Sequence, residues 1–125
     1  MLKLVMRLVG AIQVVLGAGY LLFPESLLAA IGHSTPPPDL LYPLGMLSAR
    51  FVAYGIGFLV ASRNPAQHLL WIRLMALVQA IDLGVGLFYT GTGIVPLSLS
   101  AFPMFNALWI GLCTAFMRPS ATGAA

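Results

Sequence analysis

The sequence predicts an all-α protein: an integral membrane four-helix bundle, with both termini on the cytoplasmic side and a short interfacial helix after the first span. Three observations carry that expectation. Four apolar stretches of about 18–23 residues fill most of the chain, and each is long enough to cross a bilayer as a helix. Charged residues make up 7% of the chain and hydrophobic ones 60%, whereas a soluble domain carries about 25% charged residues. The few basic residues also gather on one side of the predicted topology. A soluble enzyme, a disordered tail and a disulfide scaffold are thereby excluded. So is a nucleic-acid module, because the excess of six Lys and Arg over three Asp and Glu has a simpler cause in cytoplasmic loops. The single cysteine, Cys113, lies inside the last apolar stretch and leaves no intrachain disulfide to form.

The first span covers residues 4–23. Lys3 and Arg7 before an apolar run could open a signal peptide, with Ala29-Ala30 as a weak cleavage site. The run is nearly a full span, so it reads as a retained transmembrane helix. Pro24 ends it, because proline lacks the amide hydrogen that a continuing helix needs. Proline followed by Glu25 then starts a short helix, closed by Gly32, that suits the membrane interface. His33 to Tyr42 is the longest polar connection, stiffened by Pro36, Pro37 and Pro38.

The second span covers residues 44–61 and is broken by Arg50, with Tyr54 one turn further on. Asn64, Pro65 and Gln67 have the spacing of a capping box with proline at the first helical position. The third span runs over residues 66–89. Thr90-Gly91-Thr92-Gly93 makes a turn, and the fourth span covers residues 95–117. Pro103 falls inside that span, where it should bend the helix and free the carbonyl of Leu99. Arg118 to Ala125 forms a small, polar, frayed tail, and residues 1–125 make a single domain.

Charge counting sets the orientation. With the N-terminus inside, Lys3, Arg7, Arg63, Arg118 and a snorkelling Arg73 lie on the cytoplasmic side, and Glu25 and Asp39 lie outside. The expected location is the bacterial cytoplasmic (inner) membrane.

Arg50 and Asp82 form the most informative pair. An ionised group in hydrocarbon costs roughly 2.5–3.5 kcal/mol on insertion scales, so it faces the bundle and finds a partner. The helical rise puts Arg50 ~9 Å and Asp82 ~10 Å beneath the outer boundary. An ion pair at matched depth is expected, shared with Glu25 at the rim. Its role is either to fix helix register or to handle a proton or ligand. Gln13, Gln79 and Asn106 fall near the bilayer midplane, where amides hydrogen-bond between helices or line a small polar cavity for a headgroup or quinone oxygen.

At 100° per residue, His68, Trp71, Met75, Gln79, Asp82 and Gly86 share one stripe of the third span. Ala76, Ala80 and Gly84 form a small-residue ridge on the other side. The second span carries Ala49, Ala53, Gly57 and Ala61, and the fourth Ala107, Gly111 and Ala115. Small residues spaced by four let membrane helices approach closely, within this chain or against a neighbour. His33 and His68 fall on opposite sides of the membrane, without Cys or carboxylate at ligand spacing, so no metal or other cofactor is expected. A lone His68 could ligate a pigment or haem, but an interfacial histidine is the ordinary reading. Ser98, Ser100 and Cys113 have no neighbouring base for nucleophilic catalysis, so no enzyme activity is expected.

The arrangement resembles the broad group of small four-span membrane proteins that includes the DoxX-like family. The likeness lies in Arg7-Leu8-Val9-Gly10 entering an apolar helix, the Phe23-Pro24-Glu25 break, and an arginine opening span two before a glycine-rich run, Arg50 to Gly57. It implies an accessory subunit of a membrane redox or energy-converting system, or a membrane scaffold, and it carries no catalytic residue onto this chain. Other membrane subunits and the lipid bilayer are the expected partners. The rival reading is a small oligomeric carrier, or a lipid- or quinone-binding protein, built on Arg50, Asp82, Gln79 and Asn106.

Overall fold

The computed structural model describes residues 1–120. It is all-α and 82% helical, with five α-helices among the described residues: α1 (Leu2–Leu22), α2 (Pro24–Ala30), α3 (Leu41–Ala61), α4 (Leu69–Gly91) and α5 (Leu97–Phe116). Turns of 3-10 helix, Pro38–Leu40 and Pro65–His68, run directly into α3 and α4. Four segments, Leu2–Leu22, Pro38–Ala61, Pro65–Gly91 and Leu97–Phe116, are long and apolar enough to cross a membrane. Three lie close to the expected spans and the second begins earlier, at Pro38 rather than residue 44. Together they point to a membrane protein, with helices compatible with a membrane bundle.

Helix ends follow local chemistry. Pro24 occupies the start of α2, with Glu25 in its first turn. At its end Gly32 adopts φ 90°, the left-handed conformation that glycine enters without steric cost. The Gly32 amide donates to the Ala29 carbonyl at 3.1 Å and the His33 amide to the Leu28 carbonyl at 2.9 Å. This is a Schellman closure, which satisfies two carbonyls the helix would leave orphaned. The same closure ends α4. There Gly93 has φ 76°, its amide donates to Thr90 at 3.1 Å and the Ile94 amide donates to Tyr89 at 3.0 Å.

The start of α4 departs from the expected capping box. Asn64 stands at the cap and Pro65 follows it, but the Asn64 side chain makes no capping hydrogen bond. The Gln67 amide that the side chain would have taken donates instead to the Asn64 backbone carbonyl at 3.2 Å. A 3-10 first turn has therefore replaced the side-chain cap. Pro103 lies inside α5, and the helix runs unbroken past it to Phe116. Residues 117–120 leave the helix, and the rest of the expected frayed tail, residues 121–125, lies outside the described residues.

The chain divides into two compact units, one of residues 6–60 and the other of residues 1–5 with residues 61 onward. In the first unit α1 packs on α3 through glycine. A Cβ added at Gly55 would stand 2.7 Å from the Gly10 carbonyl oxygen and 2.8 Å from the Val14 amide nitrogen. One added at Gly10 would meet the Gly55 carbonyl oxygen at 2.9 Å, and one at Gly17 the Val52 amide nitrogen at 2.9 Å. The two backbones are thus in contact, an approach that only residues without side chains permit. Further along, the Tyr20 and Phe51 rings stack with centroids 6.0 Å apart.

In the second unit α4 packs on α5. A Cβ at Gly86 would meet the Met104 side chain, and one at Gly111 would stand 3.3 Å from the Gln79 Cβ. The Thr90 hydroxyl donates to the Ser100 hydroxyl at 2.7 Å, joining the end of α4 to the first turns of α5. Near the other end of the pair, Arg73 of α4 donates from Nη1 to the Thr114 carbonyl of α5 at 3.0 Å.

Candidate functional site

The polar residues singled out in the sequence are shared between the units: Gln13, Glu25 and Arg50 in the first, Gln79, Asp82 and Asn106 in the second. Gln13 is buried on α1, and Arg50 is exposed on α3. Glu25 is exposed in the first turn of α2.

On α4, Gln79 is 3% exposed. Its Nε2 donates to the Met75 sulfur at 3.3 Å, one turn back on the same helix. Asn106 accepts at Oδ1 from the Trp109 indole N–H at 2.9 Å, within α5. Interhelical bonds were expected of these amides. Both instead find partners three or four residues away, the spacing at which side chains on one helix meet. Among the described residues no buried side-chain nitrogen or oxygen lacks a partner.

Asp82 lies on the Gln79 stripe but is exposed. At 100° per residue it stands about 60° round the helix from Gln79, at the rim of the buried face. That face is formed by Ile72, Met75 and Gln79, with Gly86 against Met104.

The other side of α4 has a different character. Ala76 is half-buried, while Ala80 and Gly84 are exposed, and a Cβ placed at Gly84 would find no atom within 4 Å. Leu77, Ile81 and Val85 flank the ridge and are exposed too. Only 17% of the α4 window is buried, against 28% of the α1 window. On α4 the ridge thus runs from the half-buried Ala76 to the exposed Ala80 and Gly84.

The other two ridges fare differently. On α3, Ala49 and Ala53 are exposed, Gly57 is half-buried and Ala61 is buried. The backbone contact uses Gly55, which is 200° round the helix from both Ala53 and Gly57. On α5, Ala107 is buried, and Gly111, which faces Gln79, and Ala115 are half-buried. This ridge lies towards α4.

The Ser100 and Thr114 hydroxyls are tied into the backbone. The Ser100 hydroxyl takes the Thr90 bond and donates to the Pro96 carbonyl at 3.4 Å. The buried Thr114 hydroxyl donates to the Ile110 carbonyl at 2.7 Å, the i−4 bonding open to serine and threonine in helices. Cys113 is a free, half-buried thiol. His33 is exposed after α2, and His68 is half-buried at the N-cap of α4. Among the described residues no three His, Cys, Asp or Glu side chains gather where a metal ion could sit.

Sequence reasoning missed the Thr90–Ser100 and Arg73–Thr114 links. The available signal was position, since Thr90 and Ser100 flank one turn, and Arg73 lies in the early turns of its span while Thr114 lies in the last turn of the next. No protein-family model matches the chain, and no curated protein and no solved structure matches it.

Proposed function

We propose that this chain is a non-catalytic accessory or scaffold subunit of a larger membrane protein complex, docking through the Ala76–Ala80–Gly84 side of α4. One observation carries the reading. The helix applies its Gln79 face to α5 and leaves Ala80 and Gly84 of the ridge exposed, with open space at Gly84. In lipid, helices associate by close packing rather than by hydrophobicity, and a groove of small residues is the form such packing takes. The resemblance to DoxX-like proteins favours a redox or energy-converting complex. An N-in, C-in orientation in a bacterial inner membrane agrees with Lys3, Arg7, Arg63 and Arg118 near helix ends on one side and Glu25 and Asp39 on the other.

The test is purification in mild detergent with size analysis, using wild type and Gly84→Leu. The wild type is expected to carry a co-purifying polypeptide, and Gly84→Leu is expected to lose it with helical content unchanged. A wild type that runs as a monomer or self-dimer with no companion would sink the reading.

A second reading rests on Arg50 and Asp82, both exposed on membrane-length helices. Charges held there are expensive unless they pair or act. In this reading the chain binds a lipid or quinone oxygen, or serves as a small oligomeric carrier, and its polar residues act within their own units, Arg50 in the first and Asp82, Gln79 and Asn106 in the second.

A further inference from the structure

A groove of about 410 Å³ lies where α3 begins, bounded by Leu28 of α2, residues 33–37 of the connection, and the first turns of the Pro38–Ala61 segment. It lies wholly within the first unit. Its volume is in the range of about 300–1,000 Å³ typical of small-molecule sites, which combine apolar walls with a few convergent polar groups. Two properties indicate its occupant.

The first is a polarity gradient. His33, Ser34 and Thr35 supply polar lining from the connection that precedes the membrane-crossing segment, and Leu40, Leu44 and Leu47 supply apolar lining from within that segment. Those leucines descend the membrane-crossing helix over ~10 Å, so the apolar lining extends into the depth of the acyl chains while the polar lining precedes the span. The second is charge. The lining holds no Lys or Arg, so it suits uncharged acceptor oxygens better than a phosphate, for which arginine or lysine is the usual partner. The walls are also set in advance. Pro36, Pro37 and Pro43 have fixed φ angles, and the His33 backbone is pinned by its amide bond to Leu28. Little ordering is left to oppose binding.

We infer that this groove holds one glycerolipid of the surrounding bilayer, with its ester oxygens at His33, Ser34 and Thr35 and one acyl chain along Leu40, Leu44 and Leu47. The site is independent of the α4 ridge and of Arg50 and Asp82. Ser34→Trp fills the groove from its polar lining, and Leu47→Trp fills it from its apolar lining. Ser26→Trp, on an exposed position of α2 outside the lining, is the control.

The experiment is native mass spectrometry of the full-length, delipidated protein in mild detergent, titrated separately with dioleoylphosphatidylglycerol and dioleoylglycerol. The wild type and Ser26→Trp are expected to take up one molecule of either lipid. Ser34→Trp is expected to bind roughly tenfold more weakly or worse, with unchanged helical circular dichroism. Should Ser34→Trp lose helicity, Leu47→Trp gives the same reading. Uptake by both filled variants equal to wild type, or no stoichiometric uptake by the wild type, would overturn the assignment. Binding of the phosphatidylglycerol alone would overturn the role given to the ester oxygens, and a polypeptide recovered in the groove would replace the lipid.

Discussion

Arg73 caps a helix to which it does not belong: its Nη1 lies 3.0 Å from the carbonyl oxygen of Thr114, in the last turn of α5. The last four carbonyls of a helix have no partner of their own. Cys113 receives the Met117 amide at 3.0 Å, and Thr114, the next carbonyl, receives the guanidinium. A cation at a helix C-terminus is further favoured by the helix dipole.

Arg73→Leu is therefore expected to destabilise the α4–α5 pair. A hydrogen bond to a charged group contributes about 1.5–3 kcal/mol, and Arg73→Lys should retain part of it. Denaturant titration in detergent measures both, and equal stability of Arg73→Leu and wild type would refute the capping role.

Gly55→Ala and Gly84→Ala should move in opposite directions. Alanine gains about 1 kcal/mol over glycine inside a helix. At Gly84 nothing stands within 4 Å of the new Cβ, so the gain is kept. At Gly55 the Cβ would press on the Gly10 carbonyl and the Val14 amide, backbone atoms that cannot swing aside. Overpacking costs of about 1–3 kcal/mol then outweigh the gain. Thermal unfolding of the two variants side by side decides the matter.

Gly93→Ala and Gly91→Ala test the turn after α4. Gly93 has φ 76°, where a Cβ costs roughly 1–2 kcal/mol, whereas Gly91 is helical with open space around it. Only the first substitution should lower stability.

Thr90→Val and Ser100→Ala, alone and together, form a double-mutant cycle on the 2.7 Å hydroxyl contact. Hydrogen bonds between membrane helices average about 0.6 kcal/mol and reach about 1.7, and a coupling energy in that range is expected. A coupling of zero would mean that the link does not hold the helices.

Asp82→Asn separates the two functional readings. If Asp82 fixes helix register, the variant loses stability or assembly. If it belongs to a ligand site, the variant folds and its binding or pH dependence changes. Unfolding curves and a binding assay on one preparation read both outcomes.

Features set by neighbouring residues were legible before the structure. Pro24, Glu25 and Gly32 marked α2 because proline and glycine act on their own backbone, whatever packs nearby. The Asn64 cap was misjudged at the same local level, because the sequence does not say that the Gln67 amide will take the 3-10 bond to the Asn64 carbonyl. Packing was harder to read. The four-residue spacing of Ala49, Ala53 and Gly57 marked a ridge on α3, while the contact with α1 uses Gly55 on the opposite face. Periodicity tells which residues are small and which share a face, but not which face a neighbour will occupy. On α4, Gln79 was recognisable as inward-facing because the stripe around it is long, and Asp82 at the stripe's edge was not.

Because residues 6–60 form one unit and the other is built mainly from residue 61 onward, the touching backbones of α1 and α3 have an order in time. Both helices of the pair are synthesised before α4 and α5, so Gly10 and Gly55 can meet before the second unit is assembled. A nascent chain stalled once α3 has cleared the ribosome is expected to resist protease, and to lose that resistance with Gly55→Ala. Biogenesis, on this view, begins with a clasp between glycines, and an error there is met before the later helices are in place to compensate.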